Sequence, residues 1–196
     1  YKERAMLEFL RHPALIGCIE SLVGPEIVGS SVYRVRPKAP GYRRGSVPWH
    51  QDSGYFLPHC DEDLIVTCWI PLVDATAANG CMHVIPKAHT CGIYRHHTGG
   101  QGGYLEIGPD ELPEPEPVVC EMGAGAVLFM TNRTPHASFE NTTDIVRWSV
   151  DLRYQDVVLP NNVDEDPAAF DPERDPVTMA CYPGDCLLYT SPSPRD

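Results

Sequence analysis

From residue 30 onward the sequence breaks into seven short runs rich in β-branched and aromatic residues, and no other feature restricts the fold as strongly. The runs cover 30–36, 46–50, 64–72, 81–85, 117–121, 126–131 and 145–154, set between glycines and prolines, of which the chain has 16 and 20. Many short strands between such turns predict a mainly β sandwich or barrel. Asn79-Gly80, between the third and fourth runs, is a turn signal, although 74–78 lengthens that connection beyond a two-residue hairpin. Ahead of the runs, Met6, Leu7, Leu10, Leu15, Ile19, Leu22 and Val23 recur at mostly helical spacing, with a break at His12-Pro13 and a stop at Gly24-Pro25. Two short helices packed on the outside of the β structure are expected.

A chain of 196 residues predicts one domain, and its 42% hydrophobic content suffices for one core. Fifteen Lys and Arg against 27 Asp and Glu leave a net charge of −12, the wrong sign for binding phosphate backbones or anionic membranes. Neither nucleic acid nor a membrane is expected as a partner. The longest uncharged apolar run, Leu64 to Val73, contains Pro71 and has ten residues, whereas a bilayer needs about 20. Eight cysteines include no Cys-x-x-Cys, which argues against zinc-ribbon and thioredoxin readings. Cys18, Cys68, Cys81 and Cys120 lie in apolar stretches as core thiols, while Cys60, Cys91 and Cys181 lie in loops. A cytoplasmic or other reducing intracellular compartment fits this usage.

Residues 92–117, with Gly99-Gly-Gln-Gly-Gly103 and four prolines, are too long for a plain connection, and a functional lid or disorder is expected there. The glycines have neither Walker nor dinucleotide-binding spacing. Residues 156–185 are acidic and proline-rich and should wrap irregularly on the surface. The last eleven residues, Cys186 to Asp196, resemble one reading frame of a sequencing adapter. They are treated as a non-native tail, which leaves residues 1–185 as a single domain with incomplete ends.

Two His-x-Asp sequences occur, His50-Gln51-Asp52 and His59-Cys60-Asp61. With 8 His and 27 carboxylates in 196 residues, about one such match arises by chance, so context must separate them. His50 and Asp52 follow Ser46-Val-Pro-Trp49 in an extended stretch, where residues two apart share a face and can grip one ion. His59 precedes the charged run Asp61-Glu-Asp63 and reads as part of a solvated turn. Among the other histidines, His136 opens a stretch that leads through Asn141-Thr-Thr-Asp144 into Ile145-Val-Arg147-Trp-Ser149. If those four residues close a hairpin, the pairs are 140:145, 138:147 and 136:149, and His136, Ser138, Arg147 and Ser149 share one face. That polar face could meet solvent, with Val146, Trp148, Val150 and Leu152 as core. Alternatively it lines a cavity while the helices cover the apolar side, and a guanidinium enclosed there needs an anion.

Two histidines and a carboxylate around an ion with open positions form the facial triad of non-haem iron oxygenases, and no thiolate joins the set to suggest structural zinc. With Arg147 eleven residues after His136, the sequence resembles the phytanoyl-CoA dioxygenase family of iron(II) and 2-oxoglutarate dependent oxygenases. The resemblance is carried by Pro48-Trp-His-Gln-Asp52, Thr67-Cys-Trp-Ile-Pro-Leu72, Asn79-Gly80, Val84-Ile-Pro86 with His89, His136-Ala-Ser138 and Arg147-Trp-Ser-Val-Asp-Leu-Arg-Tyr154. One departure stands out: the family's Pro-Gly-Ser-His reads Pro86-Lys-Ala-His89 here.

The resemblance implies a double-stranded β-helix, the jelly roll or cupin-like fold, with flanking N-terminal helices. It implies His50, Asp52 and His136 as iron(II) ligands, and Arg147, Ser138 and Trp69 around 2-oxoglutarate as cosubstrate. The reaction implied is hydroxylation of a small-molecule C–H bond by dioxygen, with release of succinate and carbon dioxide. Trp49, Gln51 and Tyr55, near the metal strand, are expected to influence substrate choice, as is the 92–117 loop. The alternative is a cupin-like metal-binding protein or isomerase without oxygenase activity, which would leave Arg147 and Ser138 without a role.

Overall fold

The computed structural model describes residues 4–30, 33–56, 60–61, 63–98, 100–114, 116–159 and 187–190. Most of the expected 156–185 surface segment and His59 fall outside the described residues. The chain opens with α1 (Arg4–Leu10) and α2 (Pro13–Val23), broken where the sequence indicated. Pro13 sits in the first turn of α2, where its missing N–H costs nothing, and Gly24 ends the helix at φ 95°, a left-handed value that glycine tolerates.

The strands follow as β1 (Glu26–Gly29), β2 (Arg34–Lys38), β3 (Val47–His50), β4 (Val66–Pro71), β5 (Met82–Val84), β6 (His96–His97), β7 (Glu106–Ile107), β8 (Val118–Cys120), β9 (Leu128–Thr131), β10 (His136–Ser138), β11 (Arg147–Asp156) and β12 (Leu187–Thr190). Among the described residues they form two antiparallel sheets facing each other and a small β6–β7 ladder. The first sheet runs β12-β1-β11-β4-β9, with β2 also on β11; the second runs β3-β10-β5-β8. The architecture is mainly β, a jelly roll with two outer helices. β12, inside the adapter-like stretch, pairs along β1, whose edge would otherwise present unpaired backbone groups.

Period-two alternation along β11 explains how helices and cavity share one sheet. Val150, Leu152 and Tyr154 point outward, are buried, and join Leu10, Leu15, Ile19 and Val23 with Val66, Cys68 and Ile70 of β4. Burying side chains of this size contributes about 1.5–3 kcal/mol each. The Tyr154 hydroxyl also donates to the Leu10 carbonyl at 2.8 Å, satisfying the C-terminus of α1. Trp148 and Val146 lie beyond the helices and stay partly exposed. The opposite residues of β11, Arg147, Ser149, Asp151 and Arg153, turn inward, and all but half-buried Arg153 are buried.

The hairpin expected between 136–140 and 145–149 does not form. β10 pairs with β3 and β5, whereas β11 pairs with β1, β2 and β4 in the other sheet. The connection is a corner pinned from elsewhere: buried Asn141 donates to the carbonyls of Lys38 and Ile145, its carboxamide oxygen accepts from Thr143 N, and Gly41 N donates to the Asn141 carbonyl. His136, Ser138, Arg147 and Ser149 nonetheless face one interior, because both sheets turn their inner faces to it.

The 92–117 segment is ordered where it is described. β6 and β7 pair within it, and Gln51 clamps it by donating to Gly92 O and accepting from Tyr94 N. Among the described residues, Cys18, Cys60, Cys68, Cys81, Cys91 and Cys120 are not joined in disulfides, and no helix there is long and apolar enough to cross a membrane.

Candidate metal centre

Strand pairing brings the three candidate ligands together. His136 of β10 lies opposite His50 of β3, with ring centroids 4.2 Å apart. Asp52 follows two residues on, at the start of a 3-10 turn, after Gln51 in extended conformation. One ligand atom from each of His50, Asp52 and His136 lies within 4.8 Å of the others, and all three residues are buried.

Each histidine is oriented in the same way. His50 Nδ1 donates to the Pro48 carbonyl at 2.9 Å and His136 Nδ1 to the Thr134 carbonyl at 2.8 Å. A carbonyl only accepts, so each Nδ1 carries a proton and Nε2 is the nitrogen left to face a metal. Burial, with His136 beside it, holds His50 well below the usual imidazole range, in the neutral form a metal requires. Burial alone would raise the Asp52 carboxyl, but Arg153 overcomes it and holds the group far below the usual carboxylate range. Arg153 donates to both Asp52 oxygens, at 2.6 and 3.0 Å, and the Thr67 hydroxyl donates at 2.5 Å.

A cavity of about 660 Å³ opens beside His50 and His136 between the two sheets. On its wall Arg147, 2% exposed, donates to Ser149 Oγ at 2.5 Å, Gly80 O at 2.9 Å and Ser138 Oγ at 3.2 Å, and its guanidinium carbon lies 5.2 Å from the Trp69 ring centroid. None of these partners is a carboxylate, and Arg147 Nε is buried without a hydrogen bond. Burial lowers Arg147 to about 10, which leaves it charged at neutral pH. The neighbouring arginines are matched differently: Arg153 holds Asp52, and Arg36 holds Asp151. Lys38, also buried, donates to the carbonyls of Gly45, Ser138 and Phe139, which favour its charged form even as burial beside Arg147 draws it down to about 7.

Trp49, Gln51 and Tyr55 do not line this cavity. Gln51 is fully buried, with its amide bonded to Gly92 O, Arg133 O and Tyr94 N. Tyr55 stands edge-on to His50 at 5.8 Å and accepts the Leu105 N–H, while Trp49 packs against Phe139. These contacts brace β3 and the turn that follows it. Sequence reasoning gave no role to Thr67, Arg153, Arg36, Asp151 or Lys38, all on the cavity wall. Arg153 was within reach of it: six residues from Arg147 on one strand, it must share its face.

The profile described as Phytanoyl-CoA dioxygenase (PhyH) matches residues 3–149. A phytanoyl-CoA dioxygenase of Arabidopsis thaliana is 33% identical over 116 residues, 59% of this chain and 40% of the relative. The peroxisomal phytanoyl-CoA dioxygenase of Homo sapiens is 25% identical over 158 residues, 78% of this chain and 46% of the relative. The chain thus spans about half the length of the curated relatives it matches. Among solved structures, EvdO2 from Micromonospora carbonacea var. aurantiaca, complexed with 2-oxoglutarate, superposes with a TM-score of 0.62 at 24% identity, over 81% of this chain and 68% of that one. The epimerase SnoN, in complex with Fe3+, alpha ketoglutarate and nogalamycin RO, gives 0.65 at 22%, over 95% and 74%. Because the profile runs unbroken from α1 through His50, Asp52 and His136 to Arg147, the chain belongs to the phytanoyl-CoA dioxygenase (PhyH) family.

Proposed function

We propose that the chain is an iron(II)- and 2-oxoglutarate-dependent dioxygenase that hydroxylates a C–H bond of a small molecule, releasing succinate and carbon dioxide. The observation that carries this reading is Arg147. A buried guanidinium with no carboxylate hydrogen-bonded to it is costly, and Arg147 is held in that state by neutral groups on the wall of the cavity that His50 and His136 also line. A dicarboxylate that spans this cavity supplies the missing anion. A binding module or isomerase without this cosubstrate leaves the charge unexplained.

The donor set fits a divalent iron with open positions: two imidazoles whose Nδ1 is taken by a backbone carbonyl, which leaves Nε2 for the metal, one ionised carboxylate and no thiolate. When bound, iron and 2-oxoglutarate supply the oxidising chemistry with dioxygen. The residues of the chain do the rest. His50, Asp52 and His136 hold the metal, Arg147 and Ser138 take the distal carboxylate, and Trp69 flanks it. EvdO2, described with 2-oxoglutarate, and SnoN, described with Fe3+ and alpha ketoglutarate, support the cofactor pair.

Uncoupled turnover tests the reading without a known substrate. Protein supplied with Fe(II), 2-oxoglutarate and air should form succinate, followed by proton NMR, and Asp52→Ala should not. Succinate formation equal to that of free Fe(II) would refute it. Once a substrate is found, hydroxylation gives a product one oxygen heavier, whereas epimerisation, the reaction named for SnoN, leaves the mass unchanged.

A further inference from the structure

Asp52 receives more hydrogen bonds than orientation alone requires. A carboxylate offers about four lone-pair sites on its two oxygens. Arg153 Nη2 donates to Oδ1 at 2.6 Å, Arg153 Nε to Oδ2 at 3.0 Å, and Thr67 Oγ1 to Oδ2 at 2.5 Å. Both sites on Oδ2 are therefore filled, and one remains on Oδ1. A guanidinium bonded to both oxygens also covers the edge of the carboxylate that a chelating ion would occupy.

We infer that Arg153 is a positioning residue whose guanidinium, bonded to both carboxylate oxygens, restricts Asp52 to one-oxygen ligation through Oδ1. The inference rests on the proposed metal site. Its consequence is a count of positions. Two histidines and one carboxylate oxygen leave three of six octahedral positions open, enough for a bidentate cosubstrate and dioxygen. A chelating Asp52 would leave two, and the cosubstrate would fill both.

The placement of the donors supports a fixed lock. Thr67 and Arg153 are paired partners on neighbouring strands β4 and β11, so one ladder sets both. The side chains of Arg153 and Asp52 are 13% and 1% exposed, which leaves little room for water to take over either bond. A lysine would supply the charge but not the fork. If Arg153 served only to neutralise a buried carboxylate, the charge would be enough.

Mn(II) separates the two possibilities, because oxygen-17 water coupling in its paramagnetic resonance counts the bound waters. The wild-type protein should bind Mn(II) with three waters, and Arg153→Gln with two. Arg153→Lys should also show two, since it keeps the charge and loses the fork, while Thr67→Val should retain three. After 2-oxoglutarate is added, one water should remain on Mn(II) in the wild-type protein and none in either Arg153 variant. Three waters in Arg153→Lys, with one left after 2-oxoglutarate, would overturn the lock while leaving the metal site intact, and that variant carries the test if Arg153→Gln does not fold. Failure of the wild-type protein to bind Mn(II) would overturn the metal site itself, and the lock with it.

Discussion

Replacing Arg147 by Met should remove 2-oxoglutarate binding at little cost to the unliganded fold. Burial lowers the guanidinium from its ordinary value to about 10, and at 1.36 kcal/mol per pH unit the fold bears about 3 kcal/mol to keep that charge. Methionine relieves this. It also strips Ser149 of a partner, at about 1–3 kcal/mol, whereas the Gly80 carbonyl keeps the Ser138 hydroxyl at 2.8 Å. The two effects nearly cancel, so the unliganded variant should lie within about 2 kcal/mol of wild type. Binding behaves differently, because a cosubstrate carboxylate buried without its partner loses about 2–5 kcal/mol, roughly 30- to 5,000-fold in affinity. Thermal denaturation with and without 2-oxoglutarate, on protein loaded with Mn(II), reads both. At a hundred times its dissociation constant the ligand adds about 2.7 kcal/mol to wild type, a Tm rise of about 5–10 °C for a domain of this size, and at 30-fold or weaker binding it should add less than about 1 kcal/mol to the variant. Arg147→Lys should recover little, since a point charge does not replace a planar fork. An unchanged ligand shift in Arg147→Met, or collapse of its unliganded stability, would refute the assignment.

Gly80→Ala should lower both stability and 2-oxoglutarate affinity. Gly80 has φ +80°, an added Cβ would lie 2.5 Å from Lys38 Cδ and from Phe139 O, and its carbonyl serves Ser138 and Arg147; an affinity equal to wild type would contradict this. Lys87, at φ 66°, occupies the position where the family pattern has glycine, so Lys87→Gly should gain about 1 kcal/mol in denaturant unfolding by relieving a left-handed residue. His96 accepts the Gln51 N–H, and burial lowers it to about 4. Below pH 6.5 the unfolded chain therefore takes up a proton that the folded chain refuses, and stability should fall by about 3 kcal/mol between pH 6.5 and 4. His96→Gln should flatten that part of the stability curve, and an unaltered slope would assign it to other groups.

The site was legible in the sequence where chemistry is local and period-two alternation is strict. His50 and Asp52 share an extended stretch, and residues 145–154 alternate Arg147, Ser149, Asp151 and Arg153 against Val146, Trp148, Val150 and Leu152. The helices that cover the apolar face were visible from their spacing and from Pro13 and Gly24. What the sequence did not disclose is which strands pair. A four-residue turn at 141–144 is compatible with a hairpin or with a corner, and the choice depends on Lys38, Gly41 and Ala78, remote residues that hold Asn141 and Thr142. β1, with four residues between Pro25 and Ser30, was too short to register as a run. Gln51 illustrates the same limit. Its neighbours are candidate ligands, yet its own amide is spent on the backbone of 92, 94 and 133, which no spacing argument reaches.

Anaerobic addition of Fe(II) and 2-oxoglutarate tests the central claim most directly. Chelation of iron held by His50, Asp52 and His136 should produce a visible charge-transfer band that needs both additions, disappears in His136→Ala and weakens sharply in Arg147→Met. A band that forms without 2-oxoglutarate, or no band with both present, would contradict the account.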